Sequence, residues 1–205
     1  MNFVVLSSSR GTTFQSVIEA LQSGALTATC LGLVADSPER GCIEKAKAAG
    51  LPVRIVGKVK GEPREEYDRR LDAELRAMGA NEQTIIAAIG WMFVLSPCFV
   101  RTWHNRILNV HPALLPKYPG AHAHEEVLAA HEKETGMTIH VIDEGVDTGP
   151  ILLQKRCPVL PDDTHDALKE RVQELEKEWY PKVLQMIEEG EVQLPMNTEG
   201  EKKRK

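Results

Sequence analysis

The chain has 205 residues, a net charge of −5 and a 42% share of hydrophobic side chains. That length suits one folded domain that can bury a real core. The acidic balance and the lack of a basic stripe exclude nucleic acid as the main partner, and no apolar run is long enough to cross a bilayer.

Cys30, Cys42, Cys98 and Cys157 are widely spaced, with no C-x-x-C pair, and read as buried small hydrophobes in a reducing compartment. Met1 leads straight into a strand pattern with no secretory signal, so a cytoplasmic protein is expected. A monomer and a homodimer both fit the chain, and small molecules are the expected partners.

Residues 2–7 form a compact apolar strand. Ser8 to Thr13 is a small-residue turn, and residues 14–21 show helical spacing. Strand, turn and helix open a βαβ unit, whose turn points backbone N–H groups at an anion. A plain βα connection is the other reading of these residues. The G-x-G-x-x-G fingerprint is absent, so a phosphate monoester suits this turn better than a dinucleotide.

Residues 28–35 predict a second strand, 42–49 a helix ended by Gly50, and 53–56 a short strand. After a loop over 57–63 comes a charged amphipathic helix over 64–77, with Tyr67, Leu71, Leu75 and Met78 on one face. Residues 84–89 form a buried strand. Gly90 to Pro97 is an apolar loop, either core or the wall of an apolar pocket. A short helix over 99–104 follows, then a strand over 107–110 that ends in His111. In extended backbone Asn109 and His111 share one face of the sheet. Pro116, Pro119 and Gly120 then stiffen an irregular loop.

A helix is expected over 123–132, a strand over 137–142, and a second strand from 150 to 154 extending towards Val159. The last two form an antiparallel pair across the Asp143–Gly149 loop. Asp163 or Thr164 caps a long helix over 165–188. Residues 192–194 suggest one more strand. From Met196 onward the chain is a polar, basic tail with no expected order. The fold class is therefore α/β: a doubly wound, mostly parallel sheet with an antiparallel C-terminal strand pair and a long C-terminal helix, in a single domain over 1–195.

An amide and an imidazole side by side at a strand end can stabilise a developing oxyanion. The whole string Asn109-Val-His111-Pro-Ala-Leu-Leu-Pro-Lys-Tyr-Pro-Gly120 resembles the catalytic segment of the phosphoribosylglycinamide formyltransferases, folate enzymes of purine synthesis. Asp147-Thr-Gly-Pro150 resembles the family's Asp-x-Gly-Pro. The resemblance implies a Rossmann-like formyltransferase fold and a catalytic set of Asn109, His111 and Asp147. It implies 10-formyltetrahydrofolate as co-substrate and the amine of glycinamide ribonucleotide as acceptor, with no metal.

A carboxylate near His111 is expected to favour the imidazolium. Zinc at His122-x-His124, with His131 beyond, is set aside for want of Cys or a spaced carboxylate. The resemblance also implies folate contacts by Arg64, by Met92, Phe93, Val94 and Leu95, by Asn109, and by Asp143, Glu144, Gly145, Val146 and Asp147. It implies contacts to the phosphorylated substrate by Gly11, Thr12, Thr13 and Glu176. Two departures stand out. Phe93 replaces the family's usual Arg, and the turn reads Ser9-Arg-Gly-Thr-Thr13 instead of Gly-x-Gly-Ser-Asn. Other amine acceptors, such as an amino-sugar nucleotide, hydrolysis of formyl-folate, and a non-catalytic binding module stay open as alternatives.

Overall fold

The computed structural model describes residues 1–195. Its strands are β1 (Asn2–Ser7), β2 (Thr29–Ala35), β3 (Val53–Ile55), β4 (Ile85–Ala88), β5 (Ile107–His111), β6 (Glu134–Val141) and β7 (Ile151–Pro158). Its helices are α1 (Thr12–Ser23), α2 (Gly41–Ala48), α3 (Arg64–Ala77), α4 (Pro97–Thr102), α5 (Ala123–Ala129) and α6 (His165–Glu188). The tail expected from Met196 lies outside the described residues.

All seven strands join one sheet in the order β3-β2-β1-β4-β5-β6-β7. Pairing is parallel from β3 to β5 and antiparallel from β5 to β6 and from β6 to β7. Phe3–Leu6 of β1 and all of β4 are apolar because both faces are covered. Phe3 and Val5 pack under α1, α2 and α6, whereas Val4 and Leu6 pack under α3 and α4. Ile85 and Ala87 repeat the first orientation, Ile86 and Ala88 the second. A small third cluster of Ala113, Ala123, Val127 and Leu168 fixes α5 against α6.

This two-sided burial decides where polar chemistry can sit. Leu108 belongs to the first core and Ile107 to the second, so Asn109 and His111 fall on the second face, beyond the end of its apolar lining. On β6, Met137, Ile139 and Val141 fill the first core, which turns Thr138 and His140 to the same side as Asn109 and His111. The Leu115–Pro116 peptide bond in the following loop is cis.

The structure settles or changes several sequence expectations. Residues 192–194 form no strand: the N–H groups of Glu191 and Val192 turn back to the Met186 carbonyl and close the end of α6. Thr164, not Asp163, caps α6, accepting from the Ala167 N–H at 3.2 Å, because Asp163 is held by Arg171 at 2.8 Å. Cys98 is exposed and Cys30 only half-buried; the small α4 turns its Phe99 and Val100 inward instead. β6 starts three residues earlier than expected, and α5 stops at Ala129.

Candidate active site

The C-terminal end of β5 places its two polar side chains beside β6. The register sets Asn109 opposite His140 and His111 opposite Thr138. The Asn109 amide nitrogen lies 3.2 Å from His140 Nε2. His111 is buried, and its Nε2 donates to the Tyr118 carbonyl at 2.7 Å. That bond leaves Nδ1 facing Asp147 Oδ2 at 3.3 Å. The other Asp147 oxygen stands 3.4 Å from His140 Nε2, and the Gly120 N–H donates to Oδ2 at 2.8 Å. One carboxylate thus ties together two histidines and the Pro-rich loop.

The backbone is strained on both sides of this centre. Tyr118 has φ 56° and Asp147 φ 53°, left-handed values that non-glycine residues rarely adopt. Gly149 shows why the Asp-x-Gly-Pro segment needs its glycine: a Cβ there would lie 1.8 Å from the Val141 carbonyl oxygen. The loop can return along β6 only without a side chain at that point.

Burial sets the charge states. It raises the Asp147 carboxyl, but the contacts from His140, the Gly120 N–H and His111 outweigh it, and the group ends below the ordinary carboxylate range. Burial also disfavours a charged His111, and here it prevails: the ring ends below its ordinary value although Asp147 and the Tyr118 carbonyl pull it up. Asp147 favours the imidazolium, as expected, but burial outweighs it.

These groups open onto a cavity of about 460 Å³, within the range of small-molecule sites. Residues 1–184 match the family model described as formyl transferase. The chain belongs to the formyl transferase family. It is 34% identical to the phosphoribosylglycinamide formyltransferase of Escherichia coli over 197 residues, 96% of this chain and 92% of that one. It is 39% identical to the trifunctional purine biosynthetic protein adenosine-3 of Drosophila melanogaster over 188 residues, 91% of this chain but only 14% of that protein's length. The crystal structure of glycinamide ribonucleotide transformylase 1 from Symbiobacterium toebii superposes with a TM-score of 0.89 at 29% identity, covering 96% of this chain and 94% of that one.

In this formyl transferase, most of the residues singled out from the sequence meet at the cavity. Asn109, His111 and Asp147 sit on it, and so do Met92, Phe93, Val94, Leu95, Asp143, Gly145, Val146 and Glu176. Met92, Val94 and Val146 expose apolar surface there, while Leu95 is buried in the second core with Trp91 packed against it, so the apolar loop after β4 is pocket wall and core at once. Glu144 turns away to pair with Arg101 at 2.8 Å, and Arg64, exposed at the start of α3, is not among the lining residues.

Gly11, Thr12 and Thr13 also lie off the lining, yet Thr13 reaches it indirectly: its hydroxyl donates to Glu176 at 3.0 Å. Burial pushes the Glu176 carboxyl up to about 7, against the Thr13 bond and the Lys169 charge. Gly11 caps α1 at φ 76°, where a Cβ would come 2.8 Å from Cys42 Cα. Only glycine allows α2 to pack that close to the turn.

Sequence reasoning passed over His140, which completes the Asp147 contacts, and Trp91, His165, Lys169 and Gln173, which line the cavity. The one available signal for His140 was its inward place in an alternating strand just before the Asp147 loop. His124 also lines the cavity. Among the described residues, no group of three or more His, Cys, Asp or Glu side chains is arranged to hold a metal. No helix of the described residues is long and apolar enough to cross a membrane.

Proposed function

We propose that this chain transfers the formyl group of 10-formyltetrahydrofolate to the amine of glycinamide ribonucleotide, with residues 1–195 as one domain acting on small molecules in the cytoplasm. The observation that carries the reading is the Asp147 carboxylate, shared by His111 and His140 beside the Asn109 amide at one end of an apolar-walled cavity. Family membership, the named relatives and four free cysteines, which suit a reducing compartment, support it.

The chemistry follows from these groups. The acceptor amine attacks the formyl carbon, and the carbonyl electrons move onto oxygen. Asn109 offers an amide N–H to that oxyanion. The proton lost by the attacking nitrogen passes to the Asp147–His111 pair, where burial keeps the ring neutral and ready to accept it. The imidazolium so formed is stabilised by Asp147 and holds its charge near the oxyanion. As the tetrahedral adduct collapses, the bond to folate N10 breaks and the proton returns to that nitrogen, leaving tetrahydrofolate and a formamide. The loop carrying Met92 to Leu95 and the loop from Asp143 to Asp147 supply apolar faces and backbone edges for a flat pterin.

The direct test is turnover of purified protein with 10-formyltetrahydrofolate and glycinamide ribonucleotide, followed by the folate absorbance change. Formylated ribonucleotide is expected, with glycinamide riboside a poor acceptor for want of phosphate. No transfer to the ribonucleotide overturns the reading. The altered turn, with the Thr13 hydroxyl already engaged by Glu176, favours a second reading in which the acceptor is another phosphorylated amine. An amino-sugar nucleotide in the same assay separates the two.

A further inference from the structure

His111 can act as a base only if one ring nitrogen is left free. A carbonyl oxygen can only accept, so the 2.7 Å contact to Tyr118 puts the ring proton on Nε2 and leaves Nδ1 to take a proton beside Asp147. The tautomer of the base therefore depends on where one backbone carbonyl points. Tyr118 aims it from φ 56°, a left-handed conformation that a tyrosine does not hold by itself. The surroundings must fix that conformation.

Packing alone does not do this. Behind residues 114–118 lies a second hollow of about 290 Å³, bounded across from the loop by Glu132, Glu134 and Arg156. The Tyr118 ring rests against the small cluster of Ala123, Val127 and Leu168, and its hydroxyl donates to Glu132 Oε1 at 2.7 Å. Lys117 Nζ donates to the same oxygen at 2.8 Å. That lysine is exposed, so its ion pair contributes little; the partly buried hydroxyl bond is the stronger hold. Glu132 is itself fixed between α5 and β6: its N–H donates to the Val127 carbonyl at 3.3 Å, and β6 begins at Glu134. The two donors keep the Glu132 carboxyl below the ordinary carboxylate range, so it remains an acceptor.

We propose that Glu132 is a positioning residue: by gripping the Tyr118 hydroxyl from outside the cavity, it holds the Tyr118 carbonyl on His111 Nε2 and so selects which nitrogen of the base is free. Glu132 does not line the main cavity, so its effect on turnover runs through Tyr118. The inference rests on the function proposed above only in giving His111 the role of base. The tautomer itself does not depend on the identity of the acceptor.

The test compares the parent with Tyr118→Phe, Glu132→Leu, their double variant and Glu132→Gln. Tyr118→Phe keeps the ring against its cluster, and Glu132 is partly exposed, so folded protein is expected in each case. Nitrogen NMR of the neutral His111 ring should show the Nε2–H form in the parent and a mixture with the Nδ1–H form in Tyr118→Phe and Glu132→Leu. His111 should also lose its proton at lower pH in those two, because the carbonyl that favoured the charged ring has moved. Asp147, His140, Glu126 and His124 act on the same ring, and none of them is altered by these substitutions. Glu132→Gln keeps an oxygen for the hydroxyl and should retain the tautomer of the parent.

In turnover, kcat should fall roughly tenfold in Tyr118→Phe and in Glu132→Leu, with KM for both substrates within about twofold of the parent. The double variant should be no slower than either single one, because both break the same bond. Losses that multiply in the double variant, or a His111 ring with unchanged tautomer and titration in Glu132→Leu, overturn the inference. A parent that formylates no ribonucleotide while the variants show the tautomer change would sink the proposed acceptor and leave the positioning role standing. Formylation at the parent's kcat by Tyr118→Phe and Glu132→Leu would do the reverse.

Discussion

Replacing Glu176 by Gln should change the pH dependence of stability in a defined direction. Burial raises the Glu176 carboxyl from an ordinary 4.5 to about 7, while in the unfolded chain it keeps the ordinary value. Below pH 4.5 the side chain is protonated in both states and resembles the amide, so parent and variant should be equally stable. Between 4.5 and 7 the folded parent holds a proton that the unfolded chain has released. Folded protein then binds more protons than unfolded, and stability falls as pH rises. The full loss, reached above pH 7, is about 3 kcal/mol. Glu176→Gln has no such group, and it also keeps an acceptor for the Thr13 hydroxyl. Urea unfolding of both proteins at one-unit steps from pH 4 to 9 gives the difference directly. The variant should gain on the parent through pH 5 to 7 and hold its advantage above that. A flat difference, or a parent that gains on the variant as pH rises, would refute the reasoning.

Three further outcomes are expected. His140→Asn cannot span from Asn109 to Asp147; kcat should fall about a hundredfold through misplacement of the carboxylate, with KM for both substrates nearly unchanged in steady-state kinetics. Phe93 packs against Tyr67 and Trp91 at 5.6 and 5.4 Å between ring centroids. Phe93→Arg should therefore cost about 1 kcal/mol in chemical unfolding, and should tighten folate binding, read from Trp91 fluorescence, by restoring the charge found in the family. Gly149→Ala would push a methyl into the Val141 carbonyl and should lower stability by about 3 kcal/mol in thermal unfolding.

The layered sheet was legible because its signal is physical and local. Strands such as Phe3-Val4-Val5-Leu6 are apolar on both faces, and that continuity marks burial between two helix layers. Helix α3 was readable to the residue from its amphipathic spacing. Boundaries blurred where backbone conformation overrode composition. Gly11 at φ 76° sends the chain into α1 at Thr12, so two threonines that look like a turn are helical. β6 begins at the polar Glu134 because ladder pairing with β7 does not depend on apolar side chains.

The site divides the same way. Asn109 and His111 stand out as polar residues in an apolar strand, and Asp147 was marked by its Gly-Pro. His140 acquires meaning only from the antiparallel register that sets it opposite Asn109, a tertiary fact. Lys169 and Gln173 look like any solvated helix face until the α6 row is seen against the cavity.

The measurement that bears most directly on the chemistry is single-turnover formyl transfer to glycinamide ribonucleotide by the parent protein and by Asp147→Asn, with folate affinity determined alongside. The amide keeps the shape of the carboxylate and removes the charge that His111 and His140 face. The rate should drop by about a thousandfold while the folate dissociation constant stays within about twofold of the parent. Equal rates in the two proteins would contradict the role given to Asp147.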